Sequence, residues 1–230
     1  MHISFSFLPD YWPYFLNGVI CTLMLAFFTV LLAVLPAVLL ALMRLSKNKV
    51  LNFISNAFIE IIRGTPMLVQ IAIVYYGFFG AIKLPNYMIF GFINVAMFIP
   101  CIIALAVNSS AYVAEIIRAG ILAVDRGQTE AARSLGMTQG QCMRMIVLPQ
   151  AIKNILPALG NEFVTLVKES SICSTIGVTE LMFGANLTRG ATYQTMGPLL
   201  LAAALYFCMT FPASKLLAYL ERRMRRGDAR

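Results

Sequence analysis

Charged side chains inside an apolar stretch are the residues of this chain most able to do chemistry. Ile155 to Ile176 is a largely apolar region that carries Glu162, Lys168 and Glu169. On a helix, Glu162 and Glu169 are seven residues apart and share a face, with Thr165 one turn from each. Asn161 and Lys168 form an adjoining stripe. If the helix starts near Pro157, Lys168 and Glu169 lie about 17 Å along it, near the middle of a bilayer. Ionisable groups at that depth are costly and mark a functional site by default. A zwitterionic solute would find both signs here. Glu169 and Glu162 suit its ammonium, Lys168 its carboxylate, and Thr165 can help to desolvate it. The competing role is structural, in which these charges pair with neighbouring helices or a partner subunit. Both roles stay open for the two glutamates, and pairing is preferred for Lys168.

A second constellation lies between two apolar regions, from Gly127 to Pro149. Thr129 is placed to cap a helix, with Glu130 at the positive end of its dipole. Ala131 and Ala132 form helix readily and leave a thin surface. Gly136 can adopt the left-handed conformation that ends a helix. Thr138 and Gln141 have capping-box spacing for a second helix, and Pro149 discourages its continuation. Two short helices joined by a glycine make a compact plug. Such a plug can approach another protein closely and transmit a push.

Catalytic constellations are missing. The chain has no GxxxxGK[ST] phosphate loop, so ATP hydrolysis is not expected of it. Its one histidine is His2, which leaves no Ser-His, Cys-His or histidine metal set. Neither catalytic residues nor a metal site are expected. Cys21, Cys101, Cys142, Cys173 and Cys208 contain no CxxC and read as small packing residues without a disulfide framework.

The elements that position these groups follow from composition. Of 230 residues, 60% are hydrophobic and 12% charged, with a mean hydropathy of +0.79. Globular domains average about 45–50% and about 25%. This excludes a soluble globular domain, a disordered tail and a small disulfide scaffold. It argues against nucleic-acid binding despite a net charge of +8. Tyr11 to Met43, Gly64 to Ile82, Leu84 to Ala114 and Gly190 to Ser214 contain no Asp, Glu, Lys or Arg. With Ile155 to Ile176 they suggest five helical spans, because helices satisfy their own backbone in lipid. Thr65 can cap a helix beginning at Pro66, which leaves Leu51 to Ile62 as a separate piece. Pro36, Pro100 and Pro212 should kink their spans, and Pro157 falls in the first turn of the fourth.

Arg44, Lys47 and Lys49 follow the first span, Arg118 to Lys153 fills the long connection, and five arginines end the chain. Opposite them stand only Lys83 and Arg189. The positive-inside rule then puts the N-terminus outside and the C-terminus in the cytoplasm, beside anionic lipid. Met1 to Asp10 lacks the basic residues and cleavage site of a signal peptide. The outside connections, near Lys83 to Tyr87 and Thr179 to Met196, are short. Glu60 with Arg63 and Glu115 with Arg118 are spaced to bridge along a helix near the cytoplasmic boundary, as structural pairs or part of an inner gate. The expected fold is thus an all-α membrane protein, a single domain over residues 1–230. About five transmembrane helices carry short cytoplasmic helices between spans 3 and 4.

Glu130-Ala131-Ala132, three residues, Gly136, nine residues, Ile146, one residue, Leu148-Pro149 resembles the EAA signature of ABC importer permease subunits. Arg63-Gly64-Thr65-Pro66, Ala111-Tyr112-Val113-Ala114-Glu115 and Leu166-Val167-Lys168-Glu169-Ser170-Ser171 narrow the resemblance to the polar amino-acid uptake family. It covers nearly the whole chain and is weakest before Tyr14 and after Thr188. The resemblance implies a permease in the inner membrane of a prokaryote that moves a polar amino acid inward. Glu130, Ala131, Ala132, Leu135 and Gly136 would couple it to a cytoplasmic ABC ATPase dimer. ATP and magnesium would sit on that partner, with no cofactor in this chain. A second permease subunit, identical or related, an extracytoplasmic amino-acid-binding protein and membrane lipid complete the implied partners. The rival reading is an ATP-independent secondary transporter or channel. A membrane-embedded enzyme is disfavoured by the missing catalytic set.

Overall fold

The computed structural model describes residues 4–82 and 84–225, excluding the side chain of Arg225. His2, and the basic residues Lys83, Arg226 and Arg230 that the orientation rests on in part, lie outside the described residues. The chain is helical almost throughout. α1 spans Leu8–Leu45 and α2 spans Lys49–Gly64. α3, Met67–Ala72, runs on as a π-helical segment, Ile73–Phe78. A hairpin of β1 (Met88–Ile89) and β2 (Ile93–Asn94) precedes α4, Val95–Leu122. α5 (Arg126–Ser134) and α6 (Gln139–Cys142) follow, α6 continuing through a π-helical segment, Met143–Val147, into α7, Leu148–Glu169. A 3-10 segment, Ser170–Ile176, leads to α8 (Leu181–Thr192) and α9 (Met196–Arg225).

Among the described residues, α1, α4 and α9 are each long and apolar enough to cross a membrane, and α2 with α3 makes a fourth if taken as one broken span. The described residues are thus mostly helical, with three to four apolar spans, consistent with a membrane permease architecture. Local chemistry explains where its elements begin. The Asn48 carboxamide oxygen accepts from Val50 N at 2.9 Å and so caps α2. Asn52 Nδ2 donates to the Arg44 carbonyl at 2.5 Å and covers the open end of α1.

The chain forms two compact units. One comprises residues up to Leu32, Thr65–Asn108 and Phe163–Ala213; the other comprises Ala33–Gly64, Ser109–Glu162 and the residues from Ser214. The first unit is built on Leu25, Ile71, Phe98, Leu105, Leu166 and Ile176, with a second cluster around Phe7, Phe15 and Leu181. The other packs on small residues, with Ala37, Ala41, Ala111 and Ala114 around Ile59. Ser55 Oγ donates to the Leu40 carbonyl at 2.8 Å there, joining α2 to α1.

Several expectations change. The third span does not start at Leu84. Phe90 and Gly91 both take positive φ, 54° and 76°, which turns residues 88–94 into a hairpin. Thr65 does not cap α3. Pro66 is the cap, with ψ 135°, and Thr65 Oγ1 instead accepts from Gln70 Nε2 at 2.8 Å. Pro157 lies in the interior of α7. Pro149 does not stop the helix. The π-helical segment just before it shifts the hydrogen-bond register where the ring removes a donor. The connection Thr179 to Met196 is mostly the ordered helix α8. Cys101 and Cys173 form a disulfide, with Cα atoms 6.3 Å apart, where packing residues were expected. Their separation of 72 residues hid the pairing, which exists only because α4 and the 3-10 segment share one core.

Candidate functional site

The plug between α4 and α7 is built from its caps. Asp125 caps α5 through its carboxylate, which accepts from Gly127 N at 2.6 Å. This displaces the expected cap, Thr129, into the helix and Glu130 out of its first turn. Asp is the better cap and lies four residues earlier. The expected end is as drawn: Gly136 takes φ +85°, and Met137 N donates to the Ala132 carbonyl at 3.1 Å. The Thr138–Gln141 capping box is complete, so α6 starts at a defined angle.

Packing then sorts the residues expected to couple the chain to a partner. Ala132 is buried against Cys142 and Val147 and holds α5 to the following helix. Glu130, Ala131 and Gly136 are exposed, and Leu135 is 86% exposed at the tip. Leu135 is thus a single apolar side chain far out on the turn, beside a thin alanine surface. Ala132 serves that surface from inside.

All four residues of the charged stripe lie on α7. Glu162 falls in the second unit and accepts from Ser109 Oγ at 2.7 Å. Thr165, Lys168 and Glu169 fall in the first unit; Thr165 and Glu169 are half-buried and Lys168 is exposed. The structure therefore gives Glu162 a hydrogen-bond partner on α4. Of the boundary pairs, Glu115 and Arg118 bridge at 3.2 Å, and Arg44 of α1 also pairs with Glu115. Arg63 lies over the Tyr112 ring, 5.1 Å from its centre, rather than on Glu60.

Two polar assemblies escaped sequence reasoning. Asn108 Nδ2 donates to Gln70 Oε1 at 2.9 Å, and Gln70 Nε2 donates to Thr65 Oγ1, a buried amide chain from α3 to α4. Its signal was Thr65 and Gln70 in one apolar run and Asn108 in another. The other is Glu180, fully buried at the start of α8. Its carboxylate accepts from Phe183 N at 2.7 Å, Met182 N at 2.9 Å and the Tyr206 hydroxyl at 2.7 Å. No metal-binding group of three or more His, Cys, Asp or Glu occurs among the described residues.

Residues 30–226 match the family described as binding-protein-dependent transport system inner membrane component. The chain belongs to that family. This permease component is 36% identical to the arginine transport system permease protein ArtQ of Bacillus subtilis (strain 168), over 99% of this chain and 100% of that one. It is 37% identical to a putative glutamine transport system permease protein GlnP of Rickettsia typhi, over 95% and 98%. A crystal structure of an amino acid ABC transporter with histidines superposes with a TM-score of 0.86 at 48% identity, covering 97% of the permease and 100% of that chain. The permease is an inner-membrane transport component of an amino-acid ABC importer and not itself the catalyst.

Proposed function

We propose that this permease carries a polar amino acid inward, driven by a separate cytoplasmic ABC ATPase dimer that grips the α5–α6 plug. The observation that carries the reading is the plug itself. The EAA segment is fixed by two caps and a left-handed glycine and presents Leu135 and Ala131 outward. On this reading the chain has five spans, with the N-terminus outside and the plug and C-terminus in the cytoplasm. α7 supplies the fourth span and carries the substrate path through Glu162, Thr165, Lys168 and Glu169. Amino-acid relatives support a substrate that carries both an ammonium and a carboxylate. A second permease subunit, an extracytoplasmic amino-acid-binding protein and surrounding lipid complete the machine, with ATP and magnesium held by the ATPase.

Nucleotide can move the spans only through its different affinity for their two arrangements, and the plug is the contact through which that difference reaches them. The test is a purified complex in vesicles carrying Ala131→Trp. ATP-driven uptake should fall, with loss of ATPase binding or of coupling between hydrolysis and transport. Uptake by this chain without any ATPase would refute the reading and favour the ATP-independent one.

A further inference from the structure

The first turn of α8 carries a buried charge that the transport reading leaves unused. Glu180 has 0% exposure and three donors on its two oxygens. The same turn is bound to α1. Leu181 N donates to Thr22 Oγ1 at 3.3 Å, and a Cβ added at Gly18 would meet Leu181 Cα at 2.7 Å. Farther along α8, a Cβ at Gly184 would meet the Tyr14 carbonyl oxygen at 3.0 Å. α8 is therefore held to α1 by close backbone approach and to α9 by the Glu180–Tyr206 bond. Left-handed residues flank it, Gly177 at φ +90° and Tyr193 at φ 56°, so the chain turns sharply at each end. With Asp10, Tyr14 and Asn17, the residues Thr179, Phe183 and Gly184 line a cleft of about 520 Å³.

The groups facing Glu180 are Tyr206 from α9, Thr22 and Cys21 from α1, and the backbone of its own helix. Among the described residues no Lys or Arg pairs with it. A buried carboxylate without a cation is costly even when it is hydrogen-bonded. Burial pushes the Glu180 carboxyl up to about 7, and its three donors offset only part of that rise.

We propose that Glu180 is a positioning residue of the transport cycle, a proton latch that holds α8 on α1 and α9 when protonated and presses it toward release when ionised. This inference rests on the importer reading above. The direction follows from linkage. A carboxyl raised in the closed arrangement regains its ordinary value once α8 lifts and water reaches it. Closure is therefore fully favoured below about 4.5 and loses that support as pH rises through about 7. Lifting α8 moves one wall of the cleft, which on the proposed topology faces the side from which substrate arrives.

The test uses the intact complex with its ATPase and binding protein, in vesicles, with L-arginine and L-glutamine as probes, at external pH from about 5.5 to about 8.5. Hydrogen exchange of the α8 amides, corrected for intrinsic pH dependence, should slow several-fold in the wild type as pH falls through about 7. ATP-driven uptake should fall over the same range. E180Q should flatten both profiles. Y206F keeps the helix cap and should move the exchange midpoint upward, because it removes a donor that favours the charged form. An E180Q complex with the wild-type midpoint, or a Y206F midpoint that does not move, overturns the latch. If wild-type uptake of either probe proceeds without the ATPase while the exchange profile stands, the importer reading fails and the titrating contact does not.

Discussion

Gly136 offers a substitution whose cost can be assigned to the backbone alone. Its φ is +85°, and a Cβ built there meets nothing within 4 Å. Gly136→Ala therefore introduces no clash, only the penalty of holding a β-carbon in a left-handed conformation, about 1–2 kcal/mol. The turn it threatens is local. Leu135 N donates to the Ala131 carbonyl and Gly136 N to the Arg133 carbonyl, at 3.1 and 3.0 Å, and the α6 capping box begins two residues later. A penalty of that size makes the ordered plug about 5–30 times less populated relative to an open turn. Where the turn is otherwise only marginally stable, apparent affinity for the ATPase falls by the competent fraction. Gly136→Asn should recover much of the loss, since Asn tolerates the left-handed region. Binding of the purified permease to its ATPase, measured by interferometry alongside the melting temperature, separates the cases. The expected pattern is weaker docking for Ala, near-normal docking for Asn, and little change in melting for either. Equal losses for Ala and Asn would show that bulk, not backbone conformation, controls the contact.

Further outcomes follow from contacts elsewhere. Gly18→Ala should destabilise the permease by about 1–3 kcal/mol through overpacking against α8, whereas Gly190→Ala, with nothing within 4 Å, should melt like the wild type. Glu115→Ala leaves Arg44 and Arg118 without their shared carboxylate, whose side chain is 19% exposed. The loss should fall between the under about 1 kcal/mol of a surface pair and the about 3–5 of a buried one, with partial rescue in the exchanged pair Arg44→Glu/Glu115→Arg. Thiol labelling of the denatured, unreduced chain should modify Cys21, Cys142 and Cys208 and leave Cys101 and Cys173 unlabelled until reductant is added. Labelling of all five without reductant refutes the disulfide.

Much of this protein was legible in the sequence because the relevant signals are local. Apolar run length marked the helices α1, α4 and α9, since a lipid-buried backbone must bond within its own segment. The Thr138–Gln141 box and the left-handed Gly136 were readable because a cap involves residues three or four apart. Thr129 shows the limit of that reading, for two capping residues stood four apart and only the stronger, Asp125, was used. Pro149 shows another, because a helix can pass a proline if the preceding turn changes its hydrogen-bond register.

What tertiary structure alone decided is which distant polar groups meet. Glu180 and Tyr206 are separated by 26 residues, Asn108 and Gln70 by 38, Cys101 and Cys173 by 72, and Thr22 and Leu181 by 159. No local pattern specifies such pairings, because each depends on which helix faces lie against each other. The sequence determined that this chain is a membrane-embedded helical protein with a capped plug, since hydropathy and capping act within a few turns, and the permease role came from its resemblance to the EAA signature. Tertiary packing determined the rest, because a buried polar group needs a partner, and Glu180 reaches Tyr206, and Ser109 reaches Glu162, only where helix faces meet.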